Sequence, residues 1–380
     1  MLPITIDYNA AVSQAAGIGR LVRHQTAALF ELDSHTPYQL FFSSTSATKA
    51  LPLYPNVNVR QTLIPSLSLL RLWHRLHIPL PVEVWCGATS LYHATDFVLP
   101  PVRSHTKTIV TVHDLSFAKV PEAAPAKLKR FLDRVVPDSI RRATHVIADS
   151  ESTKNDIIEI YGTDVHKLSV VLSGVESRFK PTPLSANTRQ RYSIPDKPYL
   201  FSVGTVQPRK NYSRVIKALH SLGNKYEDII FVIAGGKGWL QDEMYATIQQ
   251  TEMQHRVYLI GFADDEDLPA LYSNATITVV PSLYEGFGFP VLESMACGTP
   301  VITSNLSSLP EVAGNAAILV DPYSVSEIAT AIETLLTSSE QRKMLVQRGL
   351  EQASLFTWQR SAAQLLQVYA NVLQLPLGHP

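Results

Sequence analysis

Cysteine is almost missing. Only Cys86 and Cys297 occur in 380 residues, far apart and in no Cys-x-x-Cys spacing. Neither a disulfide framework nor a thiolate zinc centre has a basis in that pattern. Net charge is missing too: 33 basic side chains balance 33 acidic ones, and no run of like charges stands out. A nucleic-acid binder held by a basic face is thereby excluded. Long hydrophobic runs are absent, since the richest window, residues 66–88, is broken by Arg71, His74, Arg75 and Glu83, so no spanning helix is expected. The first twenty residues lack the basic and apolar regions of a signal peptide, and a reduced, cytoplasmic protein is the expectation. Several catalytic signatures are also lacking. There is no His-Glu-x-x-His and no Gly-x-Ser-x-Gly, and Gly235-Gly236-Lys237-Gly238 is short of the Lys-Ser/Thr of a P-loop, which argues against zinc peptidases, α/β-hydrolases and P-loop enzymes. Neither half pairs Gly-x-Gly-x-x-Gly with an acid about 20 residues on, as a dinucleotide oxidoreductase would.

What is present is an alternation of short β-rich runs with amphipathic helical runs, the mark of parallel sheets built from βαβ units. The length points to about two domains of ~150 residues each. In the first half, strands are expected at 4–7, 38–43, 91–94, 108–113, 145–148 and 168–172. The helix after the first of them, 17–32, carries Ile18, Leu21, Val22, Gln25 and Leu29 as one stripe. Between 177 and 198 periodicity fades and Pro181, Pro183, Pro195 and Pro198 punctuate a polar stretch, which reads as a linker. A second set of strands follows at 199–203, 229–234, 257–261, 277–280, 301–303 and 318–320, then terminal helices at 325–336, 340–355 and 358–373. In open α/β sheets ligands bind outside the carboxyl ends of the strands, so motifs at those ends carry most weight.

Four such constellations occur. Tyr284-Glu285-Gly286-Phe287-Gly288-Phe289-Pro290 leads into Val291-Leu292-Glu293, with bare backbone at two glycines and Pro290 suited to a first helical turn. Two carboxylates so spaced can grip different parts of one polyhydroxylated ligand; the alternative is a loop acid and a helix-surface acid. Gly204-Thr205-Val206-Gln207-Pro208-Arg209-Lys210-Asn211 sets two adjacent cations at a strand end, before a helix capped by Asn211 or Ser213, fit to neutralise a diphosphate. An ordinary solvated basic pair is the alternative. Ala16-Gly17-Ile18-Gly19-Arg20 opens the first long helix with small residues that either admit a ligand or serve packing. Thr111-Val112-His113-Asp114 puts a histidine and an acid where a strand runs out; such a His is structural about as often as functional. Asp264-Asp265-Glu266-Asp267 contains an Asp-x-Asp with metal-ligand chemistry, but acids also complement the start of a helix.

Together these residues resemble the retaining glycosyltransferases of family 4. Glu285 to Glu293 matches the family's Glu-x7-Glu motif around Gly-Phe-Gly-Phe-Pro. Pro208-Arg209-Lys210-Asn211, His113-Asp114-Leu115-Ser116-Phe117, Asn305 to Glu311 and Val320-Asp321-Pro322 match further landmarks. The resemblance implies the α/β GT-B architecture: two Rossmann-like doubly wound domains facing across a cleft, 1–178 on the acceptor side and 179–360 binding the nucleotide-sugar, with 361–380 returning to the first. It further implies a nucleotide diphospho-sugar donor and no cofactor or metal. Arg209 and Lys210 would hold the diphosphate, with Gly204 beside them. Glu293 would take the ribose, Glu285 and the amides of Gly286, Phe287 and Gly288 the sugar, and Phe262 would border the base. Gly17 and Gly19 would close on the donor, although Ala16 stands where the family often has glycine. His113 would sit beside the transferred sugar and Asp114 on the acceptor side.

The expected reaction is hexosyl transfer to a saccharide or lipid-linked saccharide in polysaccharide biosynthesis, with UDP-glucose slightly favoured over GDP-mannose. Retention by front-face attack is favoured over double displacement through Glu285, which retaining glycosidases would suggest by analogy. Rival readings are a nucleotide-sugar epimerase, a phosphorylase, which would need a lysine for pyridoxal phosphate, and a two-lobed sugar-binding protein. Leu67, Leu69, Leu70, Leu72, Trp73 and Leu76 interleave with Arg71, Arg75 and His77. Residues 66–80 are therefore expected either to rest on an anionic membrane, placing the protein at the inner membrane face, or to form a helix packed on the first sheet.

Overall fold

The computed structural model describes residues 2–15, 17–43, 51, 53–76 and 78–374. The chain forms two compact units: Met1–Leu115 with Lys127–Gly174 and Thr357–Pro380, and Ser116–Ala126 with Val175–Phe356.

The first unit is built on seven parallel strands, β1 (Ile4–Asp7), β2 (Tyr38–Ser43), β3 (Val57–Thr62), β4 (Leu91–Ala94), β5 (Lys107–Val112), β6 (His145–Ala148) and β7 (Leu168–Val170), in the order β3-β2-β1-β4-β5-β6-β7. Helix Ile18–Leu32 buries Leu21, Val22, Gln25 and Leu29 of the stripe expected from the 3.6-residue period, while Ile18 at its start is half-buried. Gln25 on that stripe donates from Nε2 to Ser361 Oγ at 2.9 Å, tying the last helix, Trp358–Leu373, to this unit. Thr357 caps that helix by accepting the Arg360 amide. Gly174 is needed where the chain passes it, because a Cβ there would lie 2.4 Å from the Trp358 nitrogen.

The second unit holds β8 (Tyr199–Val203), β9 (Ile230–Ala234), β10 (Val257–Gly261), β11 (Ile277–Val280), β12 (Val301–Ser304) and β13 (Ala317–Val320), all parallel, in the order β10-β9-β8-β11-β12-β13. This is the doubly wound arrangement that reverses between β8 and β11. The central strands are near-continuous apolar runs because helices cover both faces. Leu200, Val215, Ile216, Leu219, Phe231, Ile233 and Ile277 are all at 0% exposure in one core cluster, and each such burial contributes about 1.5–3 kcal/mol.

Three features depart from the expected elements. Strand β3 is missing from the expectation because its sequence, VNVRQT, is mostly polar and exposed, as an edge strand can be. The stretch 177–198 is not bare linker: helix Ala186–Arg191, capped by Ser185, is fixed by Tyr192 and Arg191 bonding Asp267 at 2.9 and 2.7 Å. Residues Ser116–Ala126, read with the first unit, pack in the second.

Candidate active site

In the second unit the chemistry gathers at the carboxyl ends of β8 and β11. Past β8, Gly204 takes φ +145°, and a Cβ there would press on the Lys210 side chain. Residues Pro208–Lys210 form one tight 3₁₀ turn that projects the two cations. Asn211 follows in the left-handed region, but its side chain does not cap the next helix, Tyr212–Ser221, as expected. Its amide donates to Pro281 O at 2.9 Å and Pro322 O at 2.7 Å, stapling this loop to those after β11 and β13. The Leu283 amide donates to Arg209 O at 2.8 Å, a further stitch between the same loops.

Glu285 is the centre of this arrangement. Arg209 Nη1 donates to its Oε2 at 2.7 Å, and Lys210 Nζ donates to its Oε1 at 2.6 Å. Glu285 and Lys210 are both buried, at 7% and 9% exposure. Burial alone would raise the carboxyl pKa, but the Arg209 and Lys210 charges outweigh it and bring it down to about 2. The group is therefore an ion triad of net charge +1, not a free acid. The Glu285 amide donates to Ser307 Oγ at 3.0 Å, and Ser308 Oγ lies within bonding distance of the Glu285 and Phe287 carbonyls. Gly288, at φ +118°, turns the chain into helix Phe289–Ala296, with Pro290 in its first turn. Phe287 is buried against Phe289 and Phe356, so what its position offers a ligand is backbone.

Glu293 lies inside that helix at 2% exposure, its Oε2 accepting the Tyr272 hydroxyl at 2.9 Å. Phe262 follows β10 and is 56% exposed. Gly235-Gly236-Lys237-Gly238 lies flush on the β8 loop: Cβ atoms at Gly235 and Gly238 would fall 1.9 Å from Gly204 O and 2.2 Å from Val206 O. In the Asp264–Asp267 stretch, Asp264 and Asp267 face Arg191 at 3.4 and 2.7 Å and Asp265 faces Arg178 at 3.6 Å. Among the described residues no acidic, His or Cys groups converge as metal ligands.

In the first unit, His113 directly follows β5 at 5% exposure. Its Nδ1 is 2.8 Å from Asp149 Oδ2 and its Nε2 is 2.8 Å from Thr95 O. A carboxylate and a carbonyl only accept, so both ring nitrogens carry protons and the ring is an imidazolium. Burial alone would lower its pKa, but Asp149 and Asp96 raise it to about 9. With both nitrogens committed, the ring is neither a general base nor a free donor; the backbone of His113 is what it holds in place. Asp149 directly follows β6, the strand paired with β5, and the sequence reading missed it because that pairing is a feature of the fold. Asp114 is half-buried. Gly17 starts helix Ile18–Leu32 at φ +58°, with open space where a Cβ would be. Gly19 differs: its Cβ would stand 2.4 Å from Gln14 O and 2.5 Å from Ala10 O, so its lack of side chain serves packing. Arg23, also unforeseen, donates to the Ala11, Gln14 and Ala15 carbonyls and shapes the loop before Gly17. Ala16 lies outside the described residues.

Residues 21–179 match the family described as Glycosyltransferase Family 4, and residues 185–352 match Glycosyl transferases group 1. The O-antigen chain mannosyltransferase B of Escherichia coli is 30% identical over 73% of this chain and 74% of its own length. The chain belongs to glycosyltransferase family 4. As a family 4 glycosyltransferase it has the GT-B fold. Sucrose-phosphate synthase from Thermosynechococcus elongatus superposes with a TM-score of 0.75 at 21% identity, covering 98% of this chain and all of that one. Anabaena HepE, in complex with UDP and glucose, superposes with a TM-score of 0.72 at 17% identity, with 98% and 100% covered. At these identities the likeness is one of fold.

Proposed function

We propose that this glycosyltransferase moves a mannosyl unit from GDP-mannose to a saccharide or lipid-linked saccharide in polysaccharide assembly, with retention of configuration and without a metal. The ion triad at the ends of β8 and β11 carries the reading. Cleaving a sugar–phosphate bond puts charge on the departing diphosphate, and two preorganised cations beside a helix N-terminus meet that charge electrostatically. Arg209 and Lys210 take the diphosphate beside Gly204. Glu293 takes the ribose hydroxyls, its carboxylate oriented by Tyr272. Glu285 and the amides of Gly286, Phe287 and Gly288 take the sugar, Phe262 borders the base, and Gly17 lies on the donor from its own loop. His113 positions the backbone next to the transferred sugar, and Asp114 serves the acceptor.

The sequence reading leaned to UDP-glucose. The mannosyl activity named for the Escherichia coli relative supports mannose instead. A Glu285 carboxylate held by two cations, with its pKa at about 2, is a poor nucleophile, which favours front-face attack over double displacement. In that mechanism the acceptor hydroxyl attacks the face that the phosphate leaves, and a phosphate oxygen accepts the hydroxyl proton.

The membrane reading of residues 66–80 gains support from the surface around them. Leu53, Leu63, Leu67 and Leu76 are exposed at 93, 72, 64 and 64%, Arg60, Arg71 and Arg75 are exposed, and no Asp or Glu occurs between Asp33 and Glu83. Helix Ser66–His74 is held through buried Leu69 and through Trp73, whose Nε1 donates to Leu80 O at 2.8 Å. Apolar side chains among exposed cations suit an anionic lipid surface; His77 lies outside the described residues. No helix among the described residues is long and apolar enough to cross a membrane.

The test is sugar transfer from GDP-mannose and from UDP-glucose, with and without EDTA, by the wild type and by Lys210→Ala. The expectation is EDTA-insensitive transfer from GDP-mannose, with kcat/KM reduced in the variant by about 2–4 kcal/mol of transition-state stabilisation. Unchanged kcat/KM in Lys210→Ala would remove the triad from the site, and transfer from UDP-glucose alone would restore the glucosyl reading.

A further inference from the structure

The segment Ser116–Ala126 sits in the second unit. The Trp239 indole N–H donates to Ala123 O at 2.8 Å. Val120 and Ala123 bury against Leu283 and Tyr284 in a cluster of their own. Those two residues directly precede Glu285. Tyr284 O accepts a hydrogen bond from Arg209 Nη1, the same nitrogen that bonds Glu285 Oε2, and the Leu283 amide bonds Arg209 O. The segment thus rests on the stretch of backbone that fixes Arg209 and delivers Glu285.

Trp239 is itself anchored to the other half of the triad's frame. It follows Gly238, whose backbone lies against Val206 O, and Val206 pairs with Lys237 as an isolated parallel bridge. One side chain therefore ties the loop after β9, already flush on the loop after β8, to the segment that covers the loop after β11. A cavity of about 190 Å³ adjoins the segment, walled by Ala123, Pro208, Tyr212, Leu240 and Leu283 among others. The Trp239 hydrogen bond and the burial of Val120 and Ala123 hold this end of the segment against the loop after β11.

We propose that Trp239 is a positioning residue for sugar transfer: by holding Ala123 it keeps the segment on Leu283 and Tyr284, and so sets where Arg209 and Glu285 stand. The proposal rests on the reading of Arg209 and Lys210 as the diphosphate site. Displacements of about 1 Å at such groups cost of order a hundredfold in rate, so partial loosening is expected to cost roughly tenfold.

The test compares Trp239→Phe, which removes the indole N–H and keeps a smaller aromatic ring, with Val120→Ser, which loosens the apolar contact from the other end. Both are measured in the full chain alongside Lys210→Ala, with Val120→Ala as a second variant that buries no hydroxyl. The readouts are kcat and KM for the nucleotide-sugar and the melting temperature. The expected result is a kcat lower by roughly tenfold in both variants, with donor KM and melting temperature close to wild type. Wild-type kcat in Trp239→Phe, with Lys210→Ala impaired, would overturn this proposal and leave the diphosphate reading intact. A lowered melting temperature with wild-type kcat in the cold would also overturn it, since the contact would then be merely structural. Full activity in Lys210→Ala would overturn the diphosphate reading and this proposal with it.

Discussion

Replacing Glu285 with Gln tests the ion triad most directly, because it removes one charge and little shape. The Glu285 pKa falls from 4.5 to about 2 in the folded protein, and at 1.36 kcal/mol per unit that shift is about 3 kcal/mol of stability at neutral pH. The sign follows from the direction. A depressed carboxyl pKa stabilises above 4.5, and the contribution is lost as pH falls from there towards 2. In the variant, Arg209 and Lys210 are left facing one another with no anion between them, which is the costly way to break a buried pair. At about 2–4 °C per kcal/mol for a unit of this size, Glu285→Gln should melt about 6–12 °C lower at pH 7. It should also lack the wild type's decline between pH 4.5 and 2. A nucleoside diphosphate then has two uncompensated cations to bind, so its thermal shift should be larger in the variant, while turnover falls because the sugar has lost a positioning group. The assay is a melting curve with and without GDP, followed by transfer kinetics. A variant with wild-type melting temperature and wild-type GDP response would refute the electrostatic reasoning.

Two further outcomes are expected. The His113 pKa is raised to about 9, so its pairing with Asp149 stabilises fully below pH 6.5 and is lost as pH rises through 9. His113→Asn should therefore melt lower at pH 6 and show less decline between pH 6.5 and 9, and identical alkaline profiles would rule out the imidazolium. Reversing Arg71 and Arg75 to Glu removes two cations at about 1 kcal/mol each near an anionic surface. Co-sedimentation with anionic vesicles should drop by at least ~30-fold, whereas equal binding of wild type and variant would exclude membrane contact through this patch.

Much of the architecture is carried by local pattern. Buried parallel strands such as Ile230–Ala234 are apolar throughout, and the helix Ile18–Leu32 repeats its buried residues at the helical period. Strand β3 escaped this reading because it lies at a sheet edge, where only one neighbour and little burial constrain its side chains. The site loops were legible for the same local reason. Gly, Pro and paired charges cluster where strands run out, and Glu285, Glu293, Arg209 and Lys210 stand in recognisable spacings.

The sequence by itself determined most of the elements, their grouping into two doubly wound sets, and the residue types offered at the strand ends. Only the tertiary structure decided what those residues do to one another. Arg209 and Lys210 converge on Glu285 across 76 and 75 positions. His113 is locked as a cation by Asp149 and Thr95, Gly19 lies tight against Gln14 and Ala10, and Ser116–Ala126 belongs to the second unit. Periodicity records which face of an element is buried. It does not record which charge will lie opposite, because that depends on the order in which strands pair, and pairing order is set by long-range packing.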